Sequence, residues 1–420
     1  MHRRLFLATL LPALPPATAF AGREAASATA VDTGTPVSSQ GAVAEMTGIT
    51  HRPLRFPADH GAHPDSHIEW WYVTGWLRDT GHPSAARPGN ADTTATAQAD
   101  GEAGDTPPPD FGFQATFFRM RTGLAQDSPS RFAARQLVFA HVALTDLSSG
   151  RPAHAAALLH DQRAAREGLG IASVPAADGE QVVRLRDWTL ARAPGSGADG
   201  RSSHLRIEAP CNGFALSLAL DGTQPVLLQG EAGYSRKGPR PGQASRYYSE
   251  PQLRVRGHVG RTGAPPREVA GRAWLDHEWS DELMSPDAAG WDWIGIDLLD
   301  GGALMAFRMR GRDGRPVWAG GSHRDASGTL RVFGPDEVEF RPLRRWRSPR
   351  TQAEYPVEWQ LRTPAGRFRL AALHDDQELD SRASTGAVYW EGLSGLHDEN
   401  GRVVGWGYLE LTGYLERLRL

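Results

Sequence analysis

The chain is poor in residues that many architectures need. One cysteine, Cys211, in 420 residues excludes an intrachain disulfide and any multi-cysteine zinc or iron–sulfur site. Lys237 is the single lysine among 46 basic residues, a compositional bias to which we attach no function. Positive charge is not in excess, because 49 acidic residues give a formal net charge of −3. That balance excludes nucleic acid as the main partner, since nothing is left over to offset its phosphates. Beyond the N-terminus no apolar run is long enough for a transmembrane helix. Helical periodicity is confined to short stretches near 335–338 and 415–420. Gly-x-Ser elbows, a Walker loop and a Gly-x-Gly-x-x-Gly turn after a strand are missing, so serine-nucleophile, nucleotide and dinucleotide chemistry have no support. What remains is 40% hydrophobic and 23% charged, with 47 glycines and 30 prolines. Such a composition fits many short strands joined by turns, in two to three domains at this length.

Residues 1–21, MHRRLFLATLLPALPPATAFA, place His2, Arg3 and Arg4 before an apolar stretch and end on Ala19-Phe20-Ala21. This is the pattern of a signal peptide cut after small-x-small. Arg3-Arg4 ahead of Leu5-Phe6-Leu7 also fits a twin-arginine signal. We therefore expect a periplasmic or secreted protein. Residues 22–47, rich in Ala, Ser and Thr, read as a disordered leader.

An internal repeat sets the fold class. Residues 69–77 read EWWYVTGWL and residues 290–298 read GWDWIGIDL, which aligns Trp70 with Trp291, Tyr72 with Trp293 and Leu77 with Leu298. Each is followed by a segment ending Phe-Arg-Met-Arg, at 118–121 and 307–310, and preceded by an Asp-His pair, Asp59-His60 and Asp276-His277. Leu299-Asp300-Gly301 is a tight hairpin turn in the second copy. In the first copy residues 80–110, a Gly/Ala/Thr/Pro/Asp insertion, swell the same turn at little entropic cost. Period-two alternation continues at 203–208, 214–220, 252–259 and 408–414. The pattern predicts an all-β protein of two related antiparallel barrels, over 48–262 and 263–420.

The opening Glu69-Trp-Trp-Tyr-Val-Thr-Gly75 and the run Ala273-Trp-Leu-Asp-His-Glu-Trp-Ser280 resemble one family. It is the lipocalin-like family of the carotenoid 1,2-hydratases and the AttH-type predicted secreted hydrolases. Matching runs at 228–238, 245–253, 346–350 and 375–384 extend the likeness over 48–420 apart from the insertion, nearest the secreted branch. The resemblance implies two lipocalin-like barrels packed together, with an apolar ligand, isoprenoid or acyl, in or between them. For the hydratase branch it implies cofactor-free addition of water across an isoprenoid double bond, and a His-x-Trp pair that His277 and Trp279 match. That branch also carries a Tyr-x-Asp pair on a following strand, whereas residues 303–310 here contain neither tyrosine nor acid.

Residues 276–292 hold the densest ionisable cluster, with Asp276, His277 and Asp292 among Trp274, Trp279, Trp291 and Trp293. A carboxyl beside bulky aromatics is desolvated, which raises its pKa and lets it donate a proton near neutral pH. On this reasoning Asp292 is the expected proton donor, although alternation turns it away from its two flanking tryptophans. His277 is the base or water-orienting partner, with Asp276 or Asp292 setting its tautomer. The recurrence of the Asp-His pair supports equally a role in tying down barrel corners. Glu69 is either a further catalytic candidate or a buried partner of Arg119 or Arg121. Trp70, Trp71, Trp279, Trp291, Trp293 and Tyr248 are the expected ligand wall, since an aromatic side chain offers a large apolar face and one polar handle. His51, His60, His63 and His67 crowd 51–67 with Asp59 and Asp65. Pro57, Gly61 and Pro64 make this a loop without i, i+4 ligand presentation, so we expect no metal and no cofactor.

The leading expectation is an exported monomer or weak dimer that performs acid/base hydration or hydrolysis on a hydrophobic small molecule. The alternative is a carrier without turnover, because barrel architecture implies a cavity and no reaction. A third reading is an envelope assembly factor whose ligand is another protein.

Overall fold

The computed structural model describes residues 49, 51–81, 107–124, 126–148, 157–175, 181–194, 196 and 203–418. The signal sequence, the leader and most of the 80–110 insertion lie outside these residues. Within them the chain is almost entirely antiparallel β-sheet, with one 3₁₀ turn at Ala58–His60.

Four strands open the first sheet as a meander: β1 (Ile68–Asp79), β2 (Phe111–Arg121), β3 (Gln136–Asp146) and β4 (Ala157–Arg166). A second meander follows through β5 (Ala172–Ser173), β6 (Val182–Leu185), β7 (Trp188–Arg192), β8 (His204–Pro210) and β9 (Phe214–Asp221). Two short strands, β10 (Leu227–Leu228) and β11 (Tyr234–Arg236), lead into the long β12 (Ala244–Arg261) and β13 (Arg267–Ser280). β13 then pairs with β1, so the sheet is an up-and-down barrel with its break between β4 and β5.

The second sheet repeats this plan. β14 (Ala288–Leu298), β15 (Ala303–Gly311), β16 (Pro316–Arg324) and β17 (Leu330–Phe333) form the opening meander. β18 (Glu339–Arg347), β19 (Glu354–Thr363) and β20 (Gly366–Ala372) lead to β22 (Ala387–His397), beside which β21 (Glu378–Ser381) pairs, and to β23 (Val403–Leu411), which returns to β14. Two related antiparallel sheets, curled and packed together, are thus what the alternation predicted. One boundary moves. β13, expected after the division at 262, hydrogen-bonds β1 and β12 of the first sheet, so the sheets divide between Ser280 and Ala288. The reason is closure: a meander ends only when its last strand returns to its first.

The repeated hairpins match in face and differ in register. Trp70 pairs with Phe118, while Trp291 pairs with Met309 and Trp293 with Phe307. This two-residue offset leaves each side chain on its original face, because strand side chains alternate with period two. The turn after Leu298 closes through Gly301 at φ +93°, a conformation that favours glycine.

Central strands are buried on both faces, which explains why their sequences carry aromatics at consecutive positions. Trp71, Val73 and Leu77 of β1 pack inside the first barrel, and Ile294, Ile296 and Leu298 of β14 inside the second. Tyr72, Trp274, Trp293, Phe307 and Tyr408 form a third core where the two sheets meet.

Candidate functional site

Strand alternation separates the neighbours Asp276 and His277. On β13, His277 lies beside Trp71 and Tyr248, inside the first barrel. Asp276 lies beside Tyr72 and Ser249, on the face turned to the second sheet. Between the sheets is a cavity of about 280 Å³. Ile68, Trp70, Phe118 and Met120 contribute its apolar wall from the first sheet, and Trp291, Trp293, Phe307 and Met309 from the second.

The rest of the lining is polar and acidic. The Asp276 carboxylate accepts hydrogen bonds from Ser249 Oγ (2.5 Å), Tyr247 OH (2.6 Å) and Trp274 Nε1 (2.7 Å). Burial nevertheless pushes its pKa up to about 7, the three hydrogen bonds opposing the shift and the Glu278 charge adding to it. Glu391 and Glu410 are directly opposed across β22 and β23. Burial raises Glu391 well above the carboxylate range, reinforced by Glu410. Burial also brings Glu410 to about 7, opposed by a hydrogen bond from Trp291. The Tyr72 hydroxyl lies beside Glu391 yet outside hydrogen-bond geometry, and neither it nor Glu391 Oε1 makes a hydrogen bond. Glu391 Oε2 accepts from Gln114 Nε2. His141, bonded to Tyr389 OH at 2.7 Å and Ser384 Oγ at 2.8 Å, is neutral because burial lowers its pKa to about 3.

Lys237 completes the lining, its Nζ 3.0 Å from Glu278 and lying over the rings of Phe307 and Tyr247. A residue set aside as compositional bias is therefore the cavity's one cationic side chain among the described residues.

His277 and Glu69 belong to a different cluster, inside the first barrel. Glu69 Oε1 accepts from His277 Nε2 and His63 Nδ1, both at 2.8 Å, and Oε2 from Arg119 Nε at 2.9 Å. Burial favours the neutral acid, but the bonds from His277 and His63 outweigh it and hold Glu69 well below the usual carboxylate range. Tyr248 OH bridges His60 Nδ1 (2.8 Å) and His277 Nδ1 (3.2 Å). Trp71 stacks on His277, and Trp279 on His63 with ring centroids 3.5 Å apart. His63, Glu69 and His277 place donor atoms within 4.8 Å of one another, close enough for a metal ion. Every donor is already engaged within the cluster, and the Arg119 cation sits on the same carboxylate, so the set reads as a closed ion-pair network. The two Asp-His pairs thus share Tyr248 rather than occupying equivalent positions.

Asp292, the expected proton donor, does not reach the cavity. It is fully buried inside the second barrel, receiving Arg308 Nε at 2.6 Å and Tyr414 OH at 2.8 Å, with Arg310 Nε at 3.6 Å. Alternation sends it opposite to Trp291 and Trp293. Its counterpart is Glu69: the pairs Glu69–Arg119 and Asp292–Arg308 both cross from the first strand of a repeat to the arginine after the phenylalanine of Phe-Arg-Met-Arg. Each is a buried structural ion pair duplicated with the barrel. Of the expected ligand wall, Trp70, Trp291 and Trp293 line the cavity, while Trp71, Trp279 and Tyr248 pack inside the first barrel.

Sequence reading passed over Tyr72, Lys237, Glu391 and Glu410 as chemical groups. The available signal was an acid in a strand whose neighbours are all large and apolar, as in Tyr389-Trp390-Glu391 and Tyr408-Leu409-Glu410. Such an acid has no solvent face to occupy.

A family model described as AttH-like matches residues 95–414. The crystal structure of a candidate AttH from Nitrosomonas europaea is 44% identical, covering 87% of this chain and 98% of that one at a TM-score of 0.72. Kievitone hydratase from Nectria haematococca is 14% identical over 86% of this chain and 93% of its own, at a TM-score of 0.57, a likeness of fold. No curated relative matches the chain. The family model spans most of both sheets and the Nitrosomonas chain almost all of its own length, and on these grounds this protein belongs to the AttH-like family.

Proposed function

We propose that the protein is a cofactor-free, hydratase-type enzyme that adds water across a double bond of an apolar small molecule, isoprenoid or acyl, held between the sheets. The observation that carries the reading is Asp276: a buried carboxyl on an apolar cavity, pushed up to about 7, so that it holds a proton near neutral pH. In the proposed step the alkene π electrons take the Asp276 proton, leaving a carboxylate and a carbocation. Water bonds to the cationic carbon and releases a proton to the ionised fraction of Glu410, and return of one proton to Asp276 restores the starting acid, so that the net reaction is alkene plus water giving alcohol. The shared fold with kievitone hydratase supports the reading by analogy. A carrier of a neutral apolar ligand would need the cavity and not its carboxyls. Export through residues 1–21 belongs to the same proposal.

The test is incubation of the purified protein with acyclic terpenes and with kievitone in heavy-oxygen water. Product carrying one labelled oxygen is expected from the parent and not from Asp276→Asn. Unchanged labelling in that variant would refute the assignment of Asp276, and ligand retention without labelled product from any substrate would favour the carrier.

A further inference from the structure

The acids around the cavity lack basic partners. Asp276, Glu391 and Glu410 line it with no basic side chain within hydrogen-bond reach, and the one cation, Lys237, is already bound to Glu278 at 3.0 Å. The imidazole of His141 is engaged on both nitrogens by Tyr389 and Ser384 and is neutral. The remaining ionisable groups are phenols: Tyr72, Tyr247 and Tyr389, all pushed well above their ordinary value by burial. Tyr72 OH and Glu391 Oε1 lie beside each other outside hydrogen-bond geometry and have no other partner, and both belong to buried side chains lining the cavity. Buried polar groups are ordinarily satisfied, so orphans at a cavity wall mark where a ligand group is missing. The same lining carries the rings of Trp70, Tyr72, Phe118, Trp291 and Trp293, and an aromatic face attracts cations.

We propose that the acidic patch of this cavity is a subsite for positive charge, and that the ligand class it selects is an apolar molecule carrying a protonated or quaternary amine. An ammonium beside Glu391 and Glu410 would give the orphaned carboxyl oxygen a donor and let both acids ionise, a gain that no neutral molecule supplies. The inference rests on the hydratase reading only in sharing its cavity; the carbocation of that reaction would draw on the same subsite.

Protons compete with the ammonium for these carboxyls. Amine affinity therefore falls as pH drops from 8 towards 5, and binding releases protons. The probes are geranylamine and geraniol, which share one hydrocarbon chain and differ in charge. Isothermal titration in two buffers of different ionisation enthalpy should show geranylamine binding about tenfold tighter than geraniol at pH 7.5, with proton release. At pH 5.5 the advantage should contract. In the Glu391→Gln and Glu410→Gln variants, each checked for an intact melting transition, amine affinity should fall about tenfold while geraniol stays within about twofold. Equal affinities in the parent, or an amine advantage that survives both substitutions, would overturn the cation subsite and leave the hydratase reading standing. Failure of both probes to bind would also overturn it, and the labelled-water assay would then decide the hydratase reading separately.

Discussion

Replacing Asp276 by asparagine should change the stability of the protein in a pH-dependent way that follows from its burial. In the fold this carboxyl titrates near 7, against 3.8 for a free side chain. Because folding raises the pKa, the stability present below the unfolded value is lost progressively as pH rises through the folded one. At about 1.4 kcal/mol per pH unit, full ionisation of Asp276 costs the fold on the order of 4 kcal/mol. Asparagine is never charged, so the variant escapes this loss. It gives up one carboxylate acceptor among the bonds from Ser249, Tyr247 and Trp274, which costs about 1 kcal/mol. The expected outcome is near parity at pH 5 and a variant more stable than the parent by about 3 kcal/mol at pH 8. Guanidinium unfolding followed by tryptophan fluorescence from pH 5 to 9 measures both. Glu410 and Asp297, also brought to about 7 by burial, keep part of the downward slope in the variant. A variant less stable than the parent by about 2 kcal/mol or more at pH 8 would refute the reasoning. It would mean that the three donors hold a stable carboxylate, which has no proton to give an alkene.

Asp292→Asn strands Arg308 and Arg310 and should cost about 2–4 kcal/mol in guanidinium unfolding while leaving cavity binding intact; a loss under about 1 kcal/mol would deny the ion-pair role. Glu69→Gln should cost more, about 3–5 kcal/mol, because neither Glu69 nor Arg119 has any solvent exposure; the same unfolding assay ranks the two. Gly112→Val should wedge the sheets apart, since even a Cβ there lies 2.7 Å from the Tyr408 hydroxyl and 2.9 Å from Leu393 Cβ. A loss of at least about 2 kcal/mol together with weakened geraniol binding is expected, and an unaltered variant would place the sheet contact elsewhere. Protein recovered from the periplasm should begin at Gly22 by intact mass; retention of residues 1–21 in the exported protein would refute the signal cleavage.

The fold was legible because its signals are local. Period two, a glycine turn at 299–301 and two copies of Phe-Arg-Met-Arg are properties of short segments, and each survives as a strand, a hairpin or a cross-strand pair. That Trp70, Trp291 and Trp293 border a cavity follows from a pattern of the same kind: large aromatics on both faces of a strand require something to face on each side. Parity alone also parted Asp292 from its tryptophans, whereas the expected pairing of His277 with Asp276 or Asp292 fails because His277 turns to Glu69 and Tyr248 inside the first barrel.

Which of the two faces borders a cavity was not written in any segment. Asp276 and Asp292 are both acids among aromatics, yet one meets space between the sheets and the other meets Arg308. The barrel interiors carry apolar cores of their own, while the acid-lined cavity lies where the sheets meet, a fact of packing that no periodicity encodes. Tyr72, Asp276, Glu391 and Glu410 come from four strands spread along most of the chain. Only closure of each meander and docking of the two sheets bring them to one wall, and that proximity, by excluding water and opposing like charges, raises the carboxyl pKa values near neutrality. The sequence by itself determined strands, repeats and side-chain parity, because these depend on neighbours a few residues away. The tertiary structure alone decided which buried acids stand unpaired, because desolvation and charge depend on what lies across space.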